Sequence, residues 1–259
     1  MPRTELPSWT ADQHFGTNSH ETGGKLGRIA PHRNALPGGN DCHYLAAMTT
    51  TFRAATPRDA DFLGWAMVTA ARGHMSRGWF DIVLRRDETF CTAFAAKLAV
   101  ARPRSWWHYS FFTVAEVDGA VACAACAFPD TAPYMVSNEA MAEASQKMGI
   151  GKAEQAELWP RGKFILSATS GEDDCWTIEN VATAVAFRGR GVAQALINHM
   201  LETMRRRGPS HAQISFLIGN EPAEHCYRAC GFQFAEDKTA TEFEAAMGVP
   251  GLRRLAREL

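Results

Sequence analysis

The sequence predicts an α+β fold, with antiparallel strands early in the chain and a strand–loop–helix–strand unit late in it. Two observations support this prediction. Strand-like runs flank Asp118 and Gly119, a residue pair typical of a tight hairpin turn. Between residues 192 and 204, apolar side chains recur at helical spacing, and a run rich in β-forming residues lies on either side.

The composition is that of a globular protein with a substantial core: 259 residues, 46% of them hydrophobic and 21% charged. The formal net charge of −1 offers no electrostatic basis for binding nucleic acid or an anionic membrane. No apolar run reaches the ~20 residues that span a bilayer. We therefore expect neither nucleic acid nor a membrane as the partner.

The first 47 residues differ from the rest, because they are rich in Gly, Asn, His, Pro and Thr and lack apolar periodicity. We expect residues 1–47 to form a disordered or weakly ordered extension, and residues 48–259 to form a single domain. The N-terminal segment also lacks the apolar core of a secretory signal, which favours the cytoplasm.

The chain contains seven cysteines, two of which, Cys123 and Cys126, form a C-x-x-C. They lie in "AVACAACAF", a run typical of a buried strand. No second pair of ligands accompanies them, so we expect these thiols to fill the core rather than to bind a metal. The sequence predicts no metal site.

In the first half of the domain, a short strand at residues 51–55 precedes Thr56, which is suited to cap a helix with Pro57 at its first position. A second helix is predicted over residues 88–101, and the hairpin follows. Residues 138–148 have helical spacing, which "LWPRGK" interrupts. Residues 130–162 are thus an irregular insertion between strands, suited to cover a ligand site.

The second half begins with a strand from residue 175 to about residue 185, a glycine loop at residues 188–191 and the amphipathic helix. A strand at residues 212–219 follows, and then a helix that Asn220 is suited to cap and Gly231 to end. "FQF" is predicted as the last strand. The remaining tail is predicted as one or two short helices.

The glycine loop lies in "FRGRGVAQAL", where a helix N-terminus offers unpaired N–H groups and a partial positive charge to an anion. Glycines at two positions allow close approach of a ligand to the backbone, and two arginines add charge. The loop therefore predicts a diphosphate site. The nucleotide P-loop motif is absent, and Gln194 stands where a dinucleotide fingerprint needs a small residue.

Two segments resemble the GNAT superfamily of N-acetyltransferases. "RGRGVA" matches the family's R-x-x-G-x-A, and "NEPAEHCYRACGF" matches N-x-x-A-x-x-x-Y-x-x-x-G-F. The two motifs occur in the family's order and are joined by a helix and then a strand, and the resemblance runs from about residue 52 to residue 234. It implies a mixed, mostly antiparallel central sheet flanked by helices, with splayed central strands that hold CoA.

The resemblance also implies acetyl-CoA as co-substrate, with its pantetheine arm along the central strand and its diphosphate on the amides of the glycine loop. The cofactor-binding residues that it implies are Val181, Thr183, Val185, Arg188, Gly189, Arg190, Gly191, Val192, Ala193, Asn220, Ala223 and Tyr227.

The family pattern places Tyr227 as the general acid that protonates the departing thiolate; an ordinary buried aromatic is the alternative. Glu179 is the candidate base, because strand alternation puts it on one face with Val181 and Thr183. Its alternatives are an ion pair with an arginine or exposure to solvent. A backbone N–H near Val181 or Thr183 would stabilise the oxyanion.

The predicted reaction is direct attack, in a ternary complex, of a primary amine on the thioester of acetyl-CoA. The acceptor would be a small molecule or an amino-acid-like compound, and the aromatic cluster at residues 106–109 either walls its site or belongs to the core. A non-catalytic acyl-CoA sensor and an enzyme for longer acyl-CoA remain alternatives. A homodimer is consistent with the family, although no residue argues for one.

Overall fold

The computed structural model describes residues 49–129, 131–169, 171–172 and 174–259, and the structural statements below concern these residues. All described residues lie in one compact unit, Ala46–Leu259. The predicted extension over residues 1–47 lies outside the described residues.

The described residues form one seven-stranded sheet. Its strands are β1 (Thr50–Ala54), β2 (Phe112–Val117), β3 (Ala120–Phe128), β4 (Trp176–Thr183), β5 (His211–Leu217), β6 (Gln233–Thr239) and β7 (Gly251–Glu258). Their order in the sheet is β1-β2-β3-β4-β5-β7-β6, and neighbours run antiparallel except β4 and β5, which are parallel. This mostly antiparallel sheet confirms the predicted fold class.

Helices cover both faces of the sheet. They are α1 (Ala60–Arg72), α2 (Trp79–Leu84), α3 (Glu88–Ala99), α4 (Ala132–Met135), α5 (Ser137–Lys147), α6 (Lys152–Gly162), α7 (Ile165–Ala168), α8 (Val192–Met204), α9 (Glu221–Ala229) and α10 (Thr241–Met247). One buried core contains Leu63 of α1 and Phe94 of α3. A second contains Leu196 of α8 and Tyr227 of α9. The two cores lie on opposite sides of the sheet.

Several predicted boundaries are confirmed because local chemistry determines them. Thr56 begins a short 3-10 turn that leads into α1, and its N–H donates to the Asp59 carboxylate over 2.7 Å. Asp118 and Gly119 both have positive φ, 51° and 83°, as the tight hairpin turn requires. The helix predicted from residue 88 is α3, which starts at Glu88 and ends at Ala99.

The central strands separate after a short parallel contact. β4 pairs with β5 only from Trp176 to Ile178, and β5 then continues along β7. The register between β3 and β4 shifts just beyond that point, where Asn180 adopts a left-handed φ of 55°. This irregularity is a β-bulge, which bends a strand away from its neighbour. The splayed central strands expected from the family are therefore present.

The predicted helical tail is wrong in its second half, which forms β7 between β5 and β6. Leu252, Leu255 and Leu259 are spaced as on a helix, so the local pattern misleads. The segment forms a strand because two neighbouring strands, β5 and β6, hydrogen-bond to its backbone N–H and C=O groups, and Leu255 is fully buried between them. Gly251 allows the close approach, since a Cβ there would collide with the backbone oxygen of Lys238.

The insertion also differs in detail from the prediction. The helix at residues 138–148 is present as α5, but "LWPRGK" lies within a further helix, α6, that carries Pro160 near its end. The chain turns instead at Gly149, whose φ of 70° breaks the helix. The short α2 has no counterpart among the predicted elements, because it offers too few residues to show a period.

Candidate active site

The glycine loop connects β4 to α8 with its backbone open to solvent. Gly189 and Gly191 have φ values of 71° and 74°, a region that disfavours residues with a Cβ. A Cβ added at either position would meet nothing within 4 Å. The glycines are therefore required by backbone conformation, and the space beside them is free for a ligand.

Unpaired amides line this open space. Within the described part of the chain, the N–H groups of Gly189, Gly191, Val192 and Ala193 have no acceptor. Those of Val192 and Ala193 belong to the first turn of α8, whose dipole favours an anion. The arrangement is that of an anion-binding helix N-terminus.

The two arginines of the loop are exposed but occupy different places. Arg188 turns back, and its Nε donates to the backbone oxygen of Thr183 over 3.0 Å. The guanidinium of Arg190 lies 6.0 Å from the centre of the Phe187 ring. Val185 stands beside them with 73% of its surface exposed. Positive charge thus flanks the free amides, close to the end of β4.

The bulge in β4 divides the predicted site residues between the two faces of the sheet. Glu179 lies opposite Cys126, which belongs to the core under α1 and α3. Thr183 lies opposite Cys123 and donates to its sulfur over 3.2 Å, in the core under α8 and α9, against which Val181 also packs. The prediction that Glu179 shares a face with Val181 and Thr183 is therefore wrong. Simple alternation fails because the bulge adds one residue to the strand.

The Glu179 carboxylate lies in a largely apolar environment. Its Oε1 accepts a hydrogen bond of 3.0 Å from the Tyr134 hydroxyl. Burial raises the pKa of Glu179 to about 7, and the hydrogen bond from Tyr134 opposes this rise. The side chain is only partly buried, and no arginine or lysine forms an ion pair with it among the described residues. A carboxylate that titrates near neutral pH and can still be reached suits a general base.

Tyr227 lies on α9, which is built as predicted. Asn220 caps the helix, its Oδ1 accepting from the Ala223 N–H over 3.4 Å, and Gly231 follows the helix with a φ of 85°. The Tyr227 ring packs edge-on against Phe216 at 5.5 Å. Tyr227 is therefore held by the core, and its register on α9 follows from the cap.

The phenol of Tyr227 is kept protonated by its surroundings. Burial, and then the nearby charges of Cys226, Cys123 and Glu179, raise its pKa well above the usual value. Tyr227 is therefore protonated at neutral pH and cannot serve as a base there. Tyr227 packs in the core under α8 and α9, whereas Glu179 lies opposite Cys126 of the other core, so the two candidate catalytic groups belong to different sides of the sheet.

Tyr134 was not identified from the sequence as a site residue. It lies in the four-residue α4, within the insertion, and no motif or periodicity marks it. Its ring contacts Trp106 at 5.4 Å and Phe128 at 5.1 Å. No local signal could have identified it, because its importance comes from a partner 45 residues later in the chain.

The aromatic cluster at residues 106–109 is divided between core and site. Trp107 is buried, with 4% of its surface exposed. Trp106 is partly buried and stands between Trp107 and Tyr134. Burial lowers the pKa of His108 to about 4, so this histidine is neutral. Its Nδ1 lies 2.8 Å from the Ser110 Oγ.

Other polar side chains near the sheet have structural surroundings. Cys123 and Cys126 are buried in β3 and belong to different cores, so they do not face a common site. His199 stacks on Phe52 at 4.6 Å. No group of three or more His, Cys, Asp or Glu able to hold a metal occurs among the described residues. None of the helices in that part of the chain combines the length and apolar character needed to cross a bilayer.

Part of the chain is similar in sequence to known acetyltransferases. Residues 155–232 match the acetyltransferase (GNAT) family. A streptothricin acetyltransferase of Streptomyces lavendulae is 38% identical over 58 residues, or 22% of this chain. The matched segment spans 31% of the length of that relative.

Solved structures share the fold. One described as an acetyltransferase has a TM-score of 0.58 at 19% identity, covering 80% of this chain and 98% of its own. An N-acetyltransferase from Staphylococcus aureus Mu50 has a TM-score of 0.54 at 18% identity, covering 80% and 100%. At these identities the similarity establishes the fold, and together with the family match it confirms the resemblance predicted from the two motifs.

Proposed function

We propose that this chain, which belongs to the GNAT family of acetyltransferases, transfers an acetyl group from acetyl-CoA to a primary amine of a small-molecule or amino-acid-like acceptor. The observation that carries the proposal is the gap between β4 and β5. Free amides of the glycine loop lie beyond the end of β4, and Glu179 and Tyr227 come from the two sides of the sheet.

The residues fit acetyl-CoA as the donor. The free amides of Gly189, Gly191, Val192 and Ala193 and the charge of Arg188 would hold the diphosphate. Beyond the bulge, no described strand pairs with β4 on its β5 side, so backbone groups near Val181 and Thr183 would be able to bind the pantetheine amides. When bound, the donor supplies an activated acetyl thioester. Asn220 and Ala223 act indirectly, by fixing the start of α9.

Glu179 acts on the acceptor side. The amine attacks only as its free base, so the ammonium proton must leave, and the Glu179 carboxylate takes it directly or through water. A pKa near 7 lets this carboxylate be deprotonated at physiological pH and still bind the proton. The direct attack requires the acceptor and the donor to be bound together.

Tyr227 acts on the leaving group. The departing sulfur of CoA is a weak base, and the Tyr227 hydroxyl would donate the proton that it takes up. Burial keeps that hydroxyl protonated, so the proton is present when the sulfur departs. Over one turnover the amine nitrogen loses two protons, one to Glu179 before the attack and one to water as the tetrahedral intermediate collapses. Tyr227 gives one proton to the departing sulfur and regains one from water, Glu179 returns its proton to water, and the net result is one proton released.

The acceptor class is tested by measuring amine-dependent release of free CoA across a panel of amines, with acetyl-CoA affinity measured separately by calorimetry. Streptothricin belongs in this panel, since a relative that shares 38% identity over 58 residues is a streptothricin acetyltransferase. We expect saturable CoA release with at least one amine. Binding of acetyl-CoA without release of free CoA for any amine would favour a non-catalytic sensor. Faster release of free CoA from a longer acyl-CoA would show that the longer acyl-CoA, and not acetyl-CoA, is the preferred acyl donor.

A further inference from the structure

We propose that Tyr134 is a positioning residue that holds the Glu179 carboxylate in place and sets the pH at which it becomes charged. The proposal rests on the function proposed above, because it concerns the same base. It is carried by a contact between two segments that are distant in sequence: the Tyr134 hydroxyl lies 3.0 Å from Glu179 Oε1.

Tyr134 is itself held rigidly by aromatic neighbours. Its ring meets Phe128 edge-on at 5.1 Å and lies 5.4 Å from the ring of Trp106. The backbone N–H of Trp106 donates to the oxygen of Pro133 over 3.2 Å, which ties α4 to the loop before β2. The phenol therefore reaches Glu179 from a fixed direction, and the hydrogen bond restricts the rotation of the carboxylate.

The other groups around Glu179 do not compete with Tyr134. The thiol of Cys126 on β3 donates to the backbone oxygen of Glu179 rather than to the carboxylate. Tyr227 on α9 is kept neutral by burial and forms no hydrogen bond with this carboxylate among the described residues. On α1, which packs against β4, Asp61 is exposed and Arg72 is paired with Asp81 and Glu88. Among the described residues, Tyr134 is thus the single hydrogen-bond donor to this carboxylate.

The hydrogen bond from the Tyr134 hydroxyl lowers the pKa of Glu179. Burial disfavours the charged form of Glu179, whereas a hydroxyl that donates to the carboxylate favours it. Tyr134 remains a donor throughout, because burial raises its own pKa well above the usual value. Since the bond occupies Oε1, the second oxygen, Oε2, is left to accept the proton of the amine. The insertion would in this way control the base on β4.

If the role of Tyr134 is only to pack in the core, the expected effect on the pKa of Glu179 is different. If Tyr134 only packs against Trp106 and Phe128, removing its hydroxyl leaves the protonation of Glu179 unchanged. The test is therefore the pKa of Glu179, measured by the infrared carboxyl band in the full-length protein with Glu179→Gln as the blank. This measurement needs no acceptor. Wild-type protein should titrate near pH 7.

Tyr134→Phe should raise that pKa by about one pH unit, because a hydrogen bond to a charged group is lost while the ring remains. The acid limb of kcat/KM should move to higher pH by the same amount, with activity recovering at alkaline pH. Thr177→Val is the matched control. This substitution removes a β4 hydroxyl two residues before Glu179, but that hydroxyl accepts a hydrogen bond from Gln213 and does not contact the carboxylate. The acid limb of the kcat/KM profile should therefore not move.

Replacement of Tyr134 by 3-fluorotyrosine gives a second measurement that keeps both ring and hydroxyl. A more acidic phenol is a stronger donor, so the pKa of Glu179 should fall. An unchanged pKa in both variants would overturn the proposal, even if Glu179→Gln were inactive. If Glu179→Gln instead retained full amine-dependent activity, the assigned base would fail, whereas the shift in pKa could still be observed.

Discussion

The two faces of β4 build their parts of the candidate site in different ways. On the donor face, which comprises Val181, Thr183 and the glycine loop, the working groups are backbone amides set by a few consecutive residues. On the acceptor face, formed by Glu179 and Tyr134, they are side chains from segments 45 residues apart. The exposure of the loop amides is thus a local property, whereas the proton affinity of the Glu179 carboxylate is a non-local one.

The largest effect expected is on the acceptor face. Glu179→Gln should lower kcat/KM by about 10³-fold at pH 8, since it removes the base and preserves the shape. Acetyl-CoA affinity should be unchanged, because the donor amides lie on the other face. Wild-type activity should fall as pH drops below about 7, where the carboxylate becomes protonated. Steady-state kinetics against pH, combined with calorimetry for acetyl-CoA, measures both. A parallel loss of acetyl-CoA affinity in Glu179→Gln would contradict the assignment of donor and acceptor binding to different faces of β4.

Tyr227→Phe comes next, with turnover expected to fall about 10²-fold and acetyl-CoA affinity to be retained. The reason is that the phenol supplies a proton to the leaving sulfur but is not required for diphosphate binding. Single-turnover release of CoA measures the step. Phe216→Leu disturbs the packing of the same ring and serves as the control: it should cost stability, with little loss of turnover. Equal losses in the two variants would reduce Tyr227 to a packing role.

The acceptor face should also carry a cost in stability that depends on pH. Because burial raises the pKa of Glu179 from near 4.5 to about 7, the folded state binds the proton more tightly than the unfolded state. The contribution of Glu179 to the stability of the wild-type protein therefore falls as pH rises from 4.5 to 7. Glu179→Gln should have the same free energy of unfolding as wild type at pH 4 and gain about 3 kcal/mol at pH 8. Denaturant unfolding at both pH values tests this, and an equal difference at both would contradict it.

The smallest effect is expected on the donor face, where several amides share the ligand. Gly191→Val should weaken acetyl-CoA binding about tenfold, because a branched side chain at positive φ distorts the loop and crowds the open space. Gly149→Val is the matched control, since Gly149 has a φ of 70° and equally open surroundings in the insertion. Both variants should lose about 1–2 kcal/mol of stability. Only the first should lose affinity; equal affinities would move the anion site elsewhere.

The predictability of each region follows the same division. The glycine loop, the Asn220 cap and the hairpin turn were predicted correctly, since each depends on the conformational preference of one or two residues. The tail was mispredicted as helical. Three leucines at helical spacing became β7, because free strand edges on both sides outweighed local preference.

Within the site, the sequence identified Glu179 as the candidate base but placed it on the wrong face. One inserted residue at Asn180 reverses the alternation of side chains between the two faces of β4, and nothing in the composition of β4 predicts the bulge. Tyr134 could not be found at all, because α4 is too short to show a pattern and its partner lies on another element.

The sequence by itself determined the resemblance to the acetyltransferase (GNAT) family, the mostly antiparallel architecture and the open conformation of the glycine loop. That conformation is local, since positive φ at Gly189 and Gly191 and the first turn of α8 follow from neighbouring residues. Only the tertiary structure decided which face Glu179 occupies and that Tyr134 contacts it. The physical reason is that a backbone amide is available wherever local geometry exposes it. The proton affinity of a carboxylate depends instead on every group that folding brings around it.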